Sequence, residues 1–75
     1  MKVEYIEFPS AETVQNFVDR ISELDGIFEL VSDGYILDAR SMMGIFSLNL
    51  SKPIELRIYN DCDENLEAIE EFISK

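Results

Sequence analysis

Hydrophobic and polar residues follow two different periods along this chain. Alternation with a period of two predicts strands over about residues 2–8 and from Ile54 to Tyr59. Between them, apolar residues recur at spacings of three and four, which predicts an amphipathic helix over about residues 10–24. Pro9 ends the first strand, and Ser10 is a good N-cap for the helix that follows. The apolar stripe of this helix consists of Val14, Phe17, Val18, Ile21 and Leu24.

The middle of the chain predicts a β-hairpin. Two β-prone segments, Ile27–Ser32 and Tyr35–Ala39, are separated by the dipeptide Asp33-Gly34. Asp-Gly between two such segments favours a tight two-residue turn, because both turn residues need positive φ angles. We therefore expect the two segments to pair in an antiparallel manner.

Two further helices are predicted in the second half of the chain. Ser41 can cap a short helix, although Gly44 weakens it by about 1 kcal/mol relative to alanine. After the fourth strand, the acidic segment Asp61–Glu64 is typical of a helix start, and the helix is predicted to continue to Ile73. Its predicted buried stripe is Leu66, Ile69, Phe72 and Ile73.

The resulting order of elements is β-α-β-β-α-β-α. It predicts an α+β fold in two layers, an open-faced sandwich in which a four-stranded antiparallel sheet carries three helices on one face. A chain of 75 residues fits one domain, which we place over residues 1–75. The side chains expected between sheet and helices are Phe17, Ile21, Leu56, Ile58, Ile69 and Phe72.

The charge of the chain narrows the classes of partner. Sixteen acidic and six basic residues give a net charge of −10, which repels nucleic-acid phosphates and anionic membrane surfaces. The apolar runs are far shorter than the roughly 20 residues needed to cross a bilayer. Because the segment Met1–Glu4 carries an acid where a signal peptide would be apolar, we expect a cytoplasmic protein. The expected partners are therefore proteins rather than nucleic acids or membranes.

The residue inventory argues against an enzyme. The chain has no histidine, a single cysteine at Cys62, and three widely spaced glycines. These exclude a histidine base, an internal disulfide and a glycine-rich phosphate loop. The acids around Cys62 lack the spacing of a calcium loop, so we interpret them as a solvated helix start and the thiol as inert. We expect no catalytic residue, no metal and no cofactor.

One segment has a specific likeness to a known family. Residues 40–48 read Arg-Ser-Met-Met-Gly-Ile-Phe-Ser-Leu, similar to the Lys-Ser-Ile-Met-Gly-(apolar)-Met-Ser-Leu segment of HPr, the histidine-containing phosphocarriers of the bacterial sugar phosphotransferase system. The likeness runs without gaps from about residue 6 to residue 48 and continues to the end of the chain in a looser register. The other matching motifs are the turn Asp33-Gly34 and the Asp63-Glu64 helix start with Ala68-Ile69 after it.

The family's phosphocarrier chemistry does not carry over. HPr proteins read His-Ala-Arg-Pro at the start of the first helix, where the histidine carries the phosphoryl group. The matching residues here are Ser10-Ala11-Glu12-Thr13, so Ser10 replaces the histidine and Glu12 replaces the arginine. A serine without a base is a poor nucleophile, and Glu12 would repel a phosphoryl group. We therefore expect no phosphocarrier activity and interpret Ser10 as an N-cap.

The resemblance also implies a regulatory site. In many relatives, the serine that matches Ser41 is phosphorylated by a kinase, and the modified protein binds a transcriptional regulator. The alternative is that Ser41 only caps its helix. HPr proteins dock partners on the apolar surface of this helix, which implies binding roles for Arg40, Met42, Met43 and Phe46. Between docking and core, we favour docking for Met42 and Phe46 and core for Met43.

Two classes of function follow from these observations. The first is an HPr-like regulatory or protein-binding module, related to the phosphotransferase system and controlled at Ser41. The second is a small acidic, ferredoxin-like interaction or ligand-binding regulatory domain that is unrelated to sugar transport. Sheet order and the exposure of the residues beside Ser41 are the features that we expect to distinguish the two classes.

Overall fold

Four antiparallel strands form one open sheet in the computed structural model, which describes residues 1–74. The order across the sheet is β1-β4-β2-β3, and in the described range three α-helices accompany it. The strands are β1 Lys2–Ile6, β2 Phe28–Ser32, β3 Tyr35–Asp38 and β4 Ile54–Ile58. The helices are α1 Ala11–Ser22, α2 Met42–Phe46 and α3 Asp63–Ile69, and a single 3-10 turn follows at Glu70–Phe72. The predicted α+β fold and its order of elements are confirmed.

One face of the sheet is covered by the helices and the other is open. Along β4, Ile54, Leu56 and Ile58 are buried, whereas Glu55 and Arg57 point to the opposite, less buried face. This is the alternation expected of an antiparallel sheet with one solvated side. The three helices therefore form a single layer, which completes the predicted open-faced sandwich.

The core is organised around Phe17 on α1. Its ring meets Phe8 edge-on with centroids 5.2 Å apart and Phe72 with centroids 5.3 Å apart. All six residues predicted to form the core are buried, and Phe17 itself is 0% exposed. Phe8 belongs to this cluster although β1 already ends at Ile6, two residues earlier than the predicted strand.

The predicted tight turn is present between β2 and β3. Asp33 and Gly34 have φ angles of 50° and 85°, so both turn residues are in the left-handed region that a type I′ turn requires. The turn sets the register in which Ser32 pairs with Tyr35 and Leu30 with Leu37. Lys52 adds an exposed ion pair to Asp33, with 2.8 Å between nitrogen and oxygen.

The prediction of one continuous helix up to Ile73 is wrong. Helix α3 ends at Ile69, and after the 3-10 turn the backbone is extended at Ile73, with φ −69° and ψ 132°. Ile73 then forms an antiparallel bridge with Ile6, and the Ser74 amide donates to the Tyr5 carbonyl at 2.6 Å. The tighter turn buries Phe72, and the chain then runs along the outer edge of β1.

Candidate functional site

Helix α2 begins at a serine cap. The Ser41 side-chain oxygen accepts a hydrogen bond from the Gly44 backbone amide at 3.3 Å, and the Ser41 side chain is exposed. The Ser47 hydroxyl donates to the Gly44 carbonyl at 2.5 Å near the other end of the helix. Ile45 is 0% exposed and anchors the helix to the core. These contacts explain why a five-residue helix forms despite its glycine.

Gly44 provides the space that the cap needs. A β-carbon at this position would lie 2.9 Å from the Ser41 Oγ and 3.4 Å from the Leu37 Cδ1. The first distance is shorter than a normal van der Waals contact. A side chain at position 44 would therefore push the Ser41 hydroxyl away from the amide that it caps.

The two methionines of α2 differ in their exposure. Met43 is 85% exposed, whereas Met42 is partly buried and packs against the core. The expectation that Met43 lies in the core is therefore wrong, while docking at the partly exposed Met42 stays a prediction. Phe46 is 45% exposed, so it lies on the surface as expected. The apolar surface of α2 is formed by Met43 and Phe46, which we call the α2 patch.

Arg40 is engaged inside the fold. Its guanidinium Nη2 donates to the Leu24 carbonyl at 2.8 Å, just beyond the end of α1, and its Cζ lies 5.4 Å from the centroid of the Phe28 ring. Its backbone amide donates to the Asp38 Oδ1 at 2.8 Å, which shapes the turn between β3 and α2. Arg40 therefore holds the start of α2 against the end of α1, and a role in binding a partner stays a prediction.

Ser10 and the residues that follow it form the N-cap and first turn of α1. The Ser10 side chain accepts from the Thr13 amide at 3.2 Å, and its Oγ lies 3.0 Å from the Thr13 Oγ1. Glu12 is exposed in the first turn, where a negative charge is favourable. The interpretation of Ser10 as an N-cap is confirmed.

The acidic start of α3 contains the single cysteine. Cys62 is exposed and occupies the N-cap position without a side-chain hydrogen bond to the helix, while Asp63 and Glu64 lie in the first turn. Across residues 1–74, no group of three or more acidic or cysteine side chains is arranged to hold a metal ion, and no pocket is found. None of the described helices has the length and apolar character needed to cross a membrane.

The open face of the sheet carries a polar network that the sequence did not indicate. The Tyr59 hydroxyl donates to the Glu29 Oε1 at 2.6 Å, and this hydrogen bond raises the pKa of Tyr59. The Arg57 Nε donates to the Glu55 Oε2, also at 2.6 Å, which raises the pKa of Arg57. Exposed apolar side chains on this face, Val3, Tyr5 and Ile36, surround these pairs.

Comparisons with models of protein families, with curated proteins and with solved structures find no significant match to this chain.

Proposed function

We propose that this chain is an HPr-like protein-binding module that docks its partner on the α2 patch and carries no phosphoryl group at Ser10. The observation that carries the proposal is the exposure of Met43 at 85% and of Phe46 at 45% on one short helix. The expected partners are proteins of the phosphotransferase system or regulators that bind members of this family. The Arg40–Leu48 segment is the part of the sequence that supports this assignment.

The geometry of the α2 patch suits protein docking. Met43 and Phe46 are three positions apart, so their side chains share one side of the helix. Methionine adapts its shape to a partner, and phenylalanine supplies a large apolar area. Because Ile45 fixes the helix to the core, binding at the patch does not require the core to open.

Phosphorylation of Ser41 is the proposed control. The hydroxyl is exposed at the N-cap of the helix that carries the α2 patch, next to the amides of the first helical turn. A phosphate there adds nearly two negative charges and strong hydrogen-bond acceptors. Since the Arg40 guanidinium is already bonded to the Leu24 carbonyl, the phosphate would remain available to cationic groups of the partner.

The proposal excludes phosphoryl transfer through Ser10. The Ser10 Oγ accepts a hydrogen bond from the Thr13 amide. The negatively charged Glu12 lies two residues after Ser10, in the first turn of α1. Incubation with the general enzyme of the phosphotransferase system and labelled phosphoenolpyruvate should leave the chain unlabelled, while an authentic HPr becomes labelled. Acid-labile label on this chain would contradict this part of the proposal.

Binding measurements test the docking surface directly. The chain, before and after treatment with the kinase that modifies the regulatory serine of HPr proteins, would be titrated by calorimetry with the general enzyme and with the transcriptional regulator. Met43→Ala and Phe46→Ala should each weaken binding by about 1–2 kcal/mol or more. Ile27→Ala is the matched control, because Ile27 is 60% exposed but lies outside α2. No binding to either protein, or equal losses in all three variants, would contradict the proposal.

A further inference from the structure

The two outer edges of the sheet differ in what covers them. The edge at β1 is covered by the segment that follows the 3-10 turn. Ile73 forms a bridge with Ile6, and the Ser74 amide donates a hydrogen bond to the Tyr5 carbonyl. The edge at β3 has no strand from residues 1–74 beside it, since β3 is the last strand in the sheet order. An uncovered strand edge presents unpaired amides and carbonyls and is a template for a further strand.

The register shows which backbone groups point away from the sheet at β3. The Ala39 amide donates to the Phe28 carbonyl at 2.9 Å, so these two residues form a hydrogen-bonded pair. Hydrogen-bonded and non-hydrogen-bonded pairs alternate along antiparallel strands. Asp38 and Ile36, which face Glu29 and Val31, are therefore non-hydrogen-bonded pairs whose amides point outward.

Three outward backbone groups remain for a new strand. They are the amide and carbonyl of Ile36 and the amide of Asp38, because the Asp38 carbonyl already accepts from the Ser41 amide at 2.9 Å. The side chains at this edge are open to solvent: Tyr35 is 70% exposed and Ile36 is 57% exposed. β3 contains no proline or lysine, the residues that commonly protect such edges.

The negative charge of the chain favours a basic segment as the strand that pairs with β3. The chain carries a net charge of −10, and each of the basic residues within positions 1–74 already has a partner inside the fold. A second copy would bring the same negative charge to the edge, whereas a basic segment would be attracted to it. At the β3 edge itself, the exposed carboxylate of Asp38 would attract a Lys or Arg side chain of such a segment.

We propose that β3 accepts an extended basic segment of a partner protein as a fifth strand of the sheet. In the new pair, an apolar side chain of the partner lies across from Ile36, and a Lys or Arg lies two positions away, across from Asp38. Both positions are on the open face, because residues two apart in a strand share a face. This interaction is separate from docking at the α2 patch and does not depend on it.

The first test uses a short synthetic peptide in which Val and Lys occupy alternate positions of one face, two residues apart, with Thr between them; its binding is followed by backbone amide NMR and hydrogen exchange. Exchange at the Ile36 and Asp38 amides should slow by about tenfold or more at saturating peptide. Binding should weaken as salt is added, and a peptide with Glu in place of each Lys should not bind. Absence of binding by the Lys peptide, or slowed exchange only at α2, would overturn the proposal.

The second test uses variants of the edge. Ile36→Pro removes an outward amide that no described strand uses, so the sheet should fold while peptide affinity falls by about tenfold or more. Ile36→Val keeps the amide and should bind as the native chain does. Asp38→Asn keeps an oxygen for the Arg40 amide but removes the charge, so it should weaken binding and reduce its salt dependence.

Two outcomes with Ile36→Pro would overturn the proposal. Equal peptide affinity of Ile36→Pro and the native chain would overturn the proposal, as would a dimer of the peptide-free chain that Ile36→Pro abolishes, because the occupant would then be a second copy. If Ile36→Pro does not fold, Asp38→Asn and the exchange measurement on the native chain decide. Loss of docking in Met43→Ala with unchanged peptide binding at β3 would separate this site from the α2 patch.

Discussion

The Ser41 hydroxyl oxygen lies 3.3 Å from the Gly44 backbone nitrogen, and a β-carbon on Gly44 would lie 2.9 Å from that same oxygen. The cap and the glycine therefore depend on each other. Glycine costs a helix about 1 kcal/mol relative to alanine, and a serine N-cap contributes a similar amount. At this position the space left by the glycine allows the Ser41 hydroxyl to cap the helix.

This relationship predicts a coupled effect of two substitutions. Ser41→Ala should lower the free energy of unfolding by about 1 kcal/mol through loss of the cap. Gly44→Ala alone should change it little, because the gain in helix propensity is offset by the displaced hydroxyl. In the Ser41→Ala background, Gly44→Ala should instead stabilise by roughly 1 kcal/mol. Urea denaturation of the four proteins measures the coupling, and strictly additive effects would show that the two residues are independent.

Among the core residues, we expect substitution of Phe17 to lower the free energy of unfolding most. Its ring is fully buried between Phe8 and Phe72, so Phe17→Ala removes two aromatic contacts and leaves a cavity. The free energy of unfolding should fall by about 3–5 kcal/mol. Met43→Ala is the control, because its side chain is 85% exposed and should change stability by no more than about 0.5 kcal/mol. Similar losses in the two variants in urea denaturation would mean that the core is not centred on Phe17.

The periodic segments were predictable because each has enough residues to define its buried side. Helix α1 spans 12 residues, more than three turns, and its apolar stripe identifies Phe17 and Ile21 as core positions. The Asp33-Gly34 turn was predictable because few residues adopt the backbone angles that a type I′ turn requires. These local signals fix the order of elements and most of the core.

The same reasoning fails where an element is short. Helix α2 has five residues, less than two turns, so the apolar positions in its sequence do not define which side faces the core. Only the packing of Ile45 and Met42 shows that Met43 points to solvent. The uncovered edge at β3 also depends on strand order, which the order of elements along the chain does not specify.

The hydrogen bond between Tyr59 and Glu29 predicts a dependence of stability on pH. It raises the pKa of Tyr59 above its ordinary value of about 10. The unfolded chain therefore loses this proton at lower pH than the folded chain does. The contribution of the hydrogen bond is complete below the unfolded pKa and is lost as the pH rises through the folded pKa.

Absorbance of tyrosinate measures this titration, and the difference between the native chain and Tyr59→Phe isolates Tyr59. Glu29→Gln keeps an acceptor oxygen but removes the charge, so the pKa of Tyr59 should fall toward its ordinary value. An unchanged titration in Glu29→Gln would mean that the Glu29 carboxylate does not hold the phenol proton.

Asn65 is a buried polar residue that the hydrophobic pattern gave no reason to select. Its side chain is 3% exposed, and its Nδ2 donates to the carbonyls of Asp25 and Asn60, both at 2.9 Å. One amide thus joins the loop after α1 to the loop before α3. Nearby, Gly26 has a φ of 113°, and a β-carbon on it would lie 2.6 Å from the Asn60 Cβ, so the two loops are in close contact.

We expect Asn65→Asp to be more damaging than Asn65→Ala at neutral pH. Alanine removes both part-buried hydrogen bonds to these carbonyls, at a cost of about 1–3 kcal/mol, whereas aspartate also directs a negative charge at those oxygens and should cost more. Because the same carbonyls disfavour the ionised form, the loss in the aspartate variant should shrink as the pH falls and the carboxyl gains a proton that it can donate. Urea denaturation at neutral and acidic pH compares the two variants with the native chain. An aspartate variant within about 0.5 kcal/mol of the native chain at neutral pH would show that the amide does not hold the loops together.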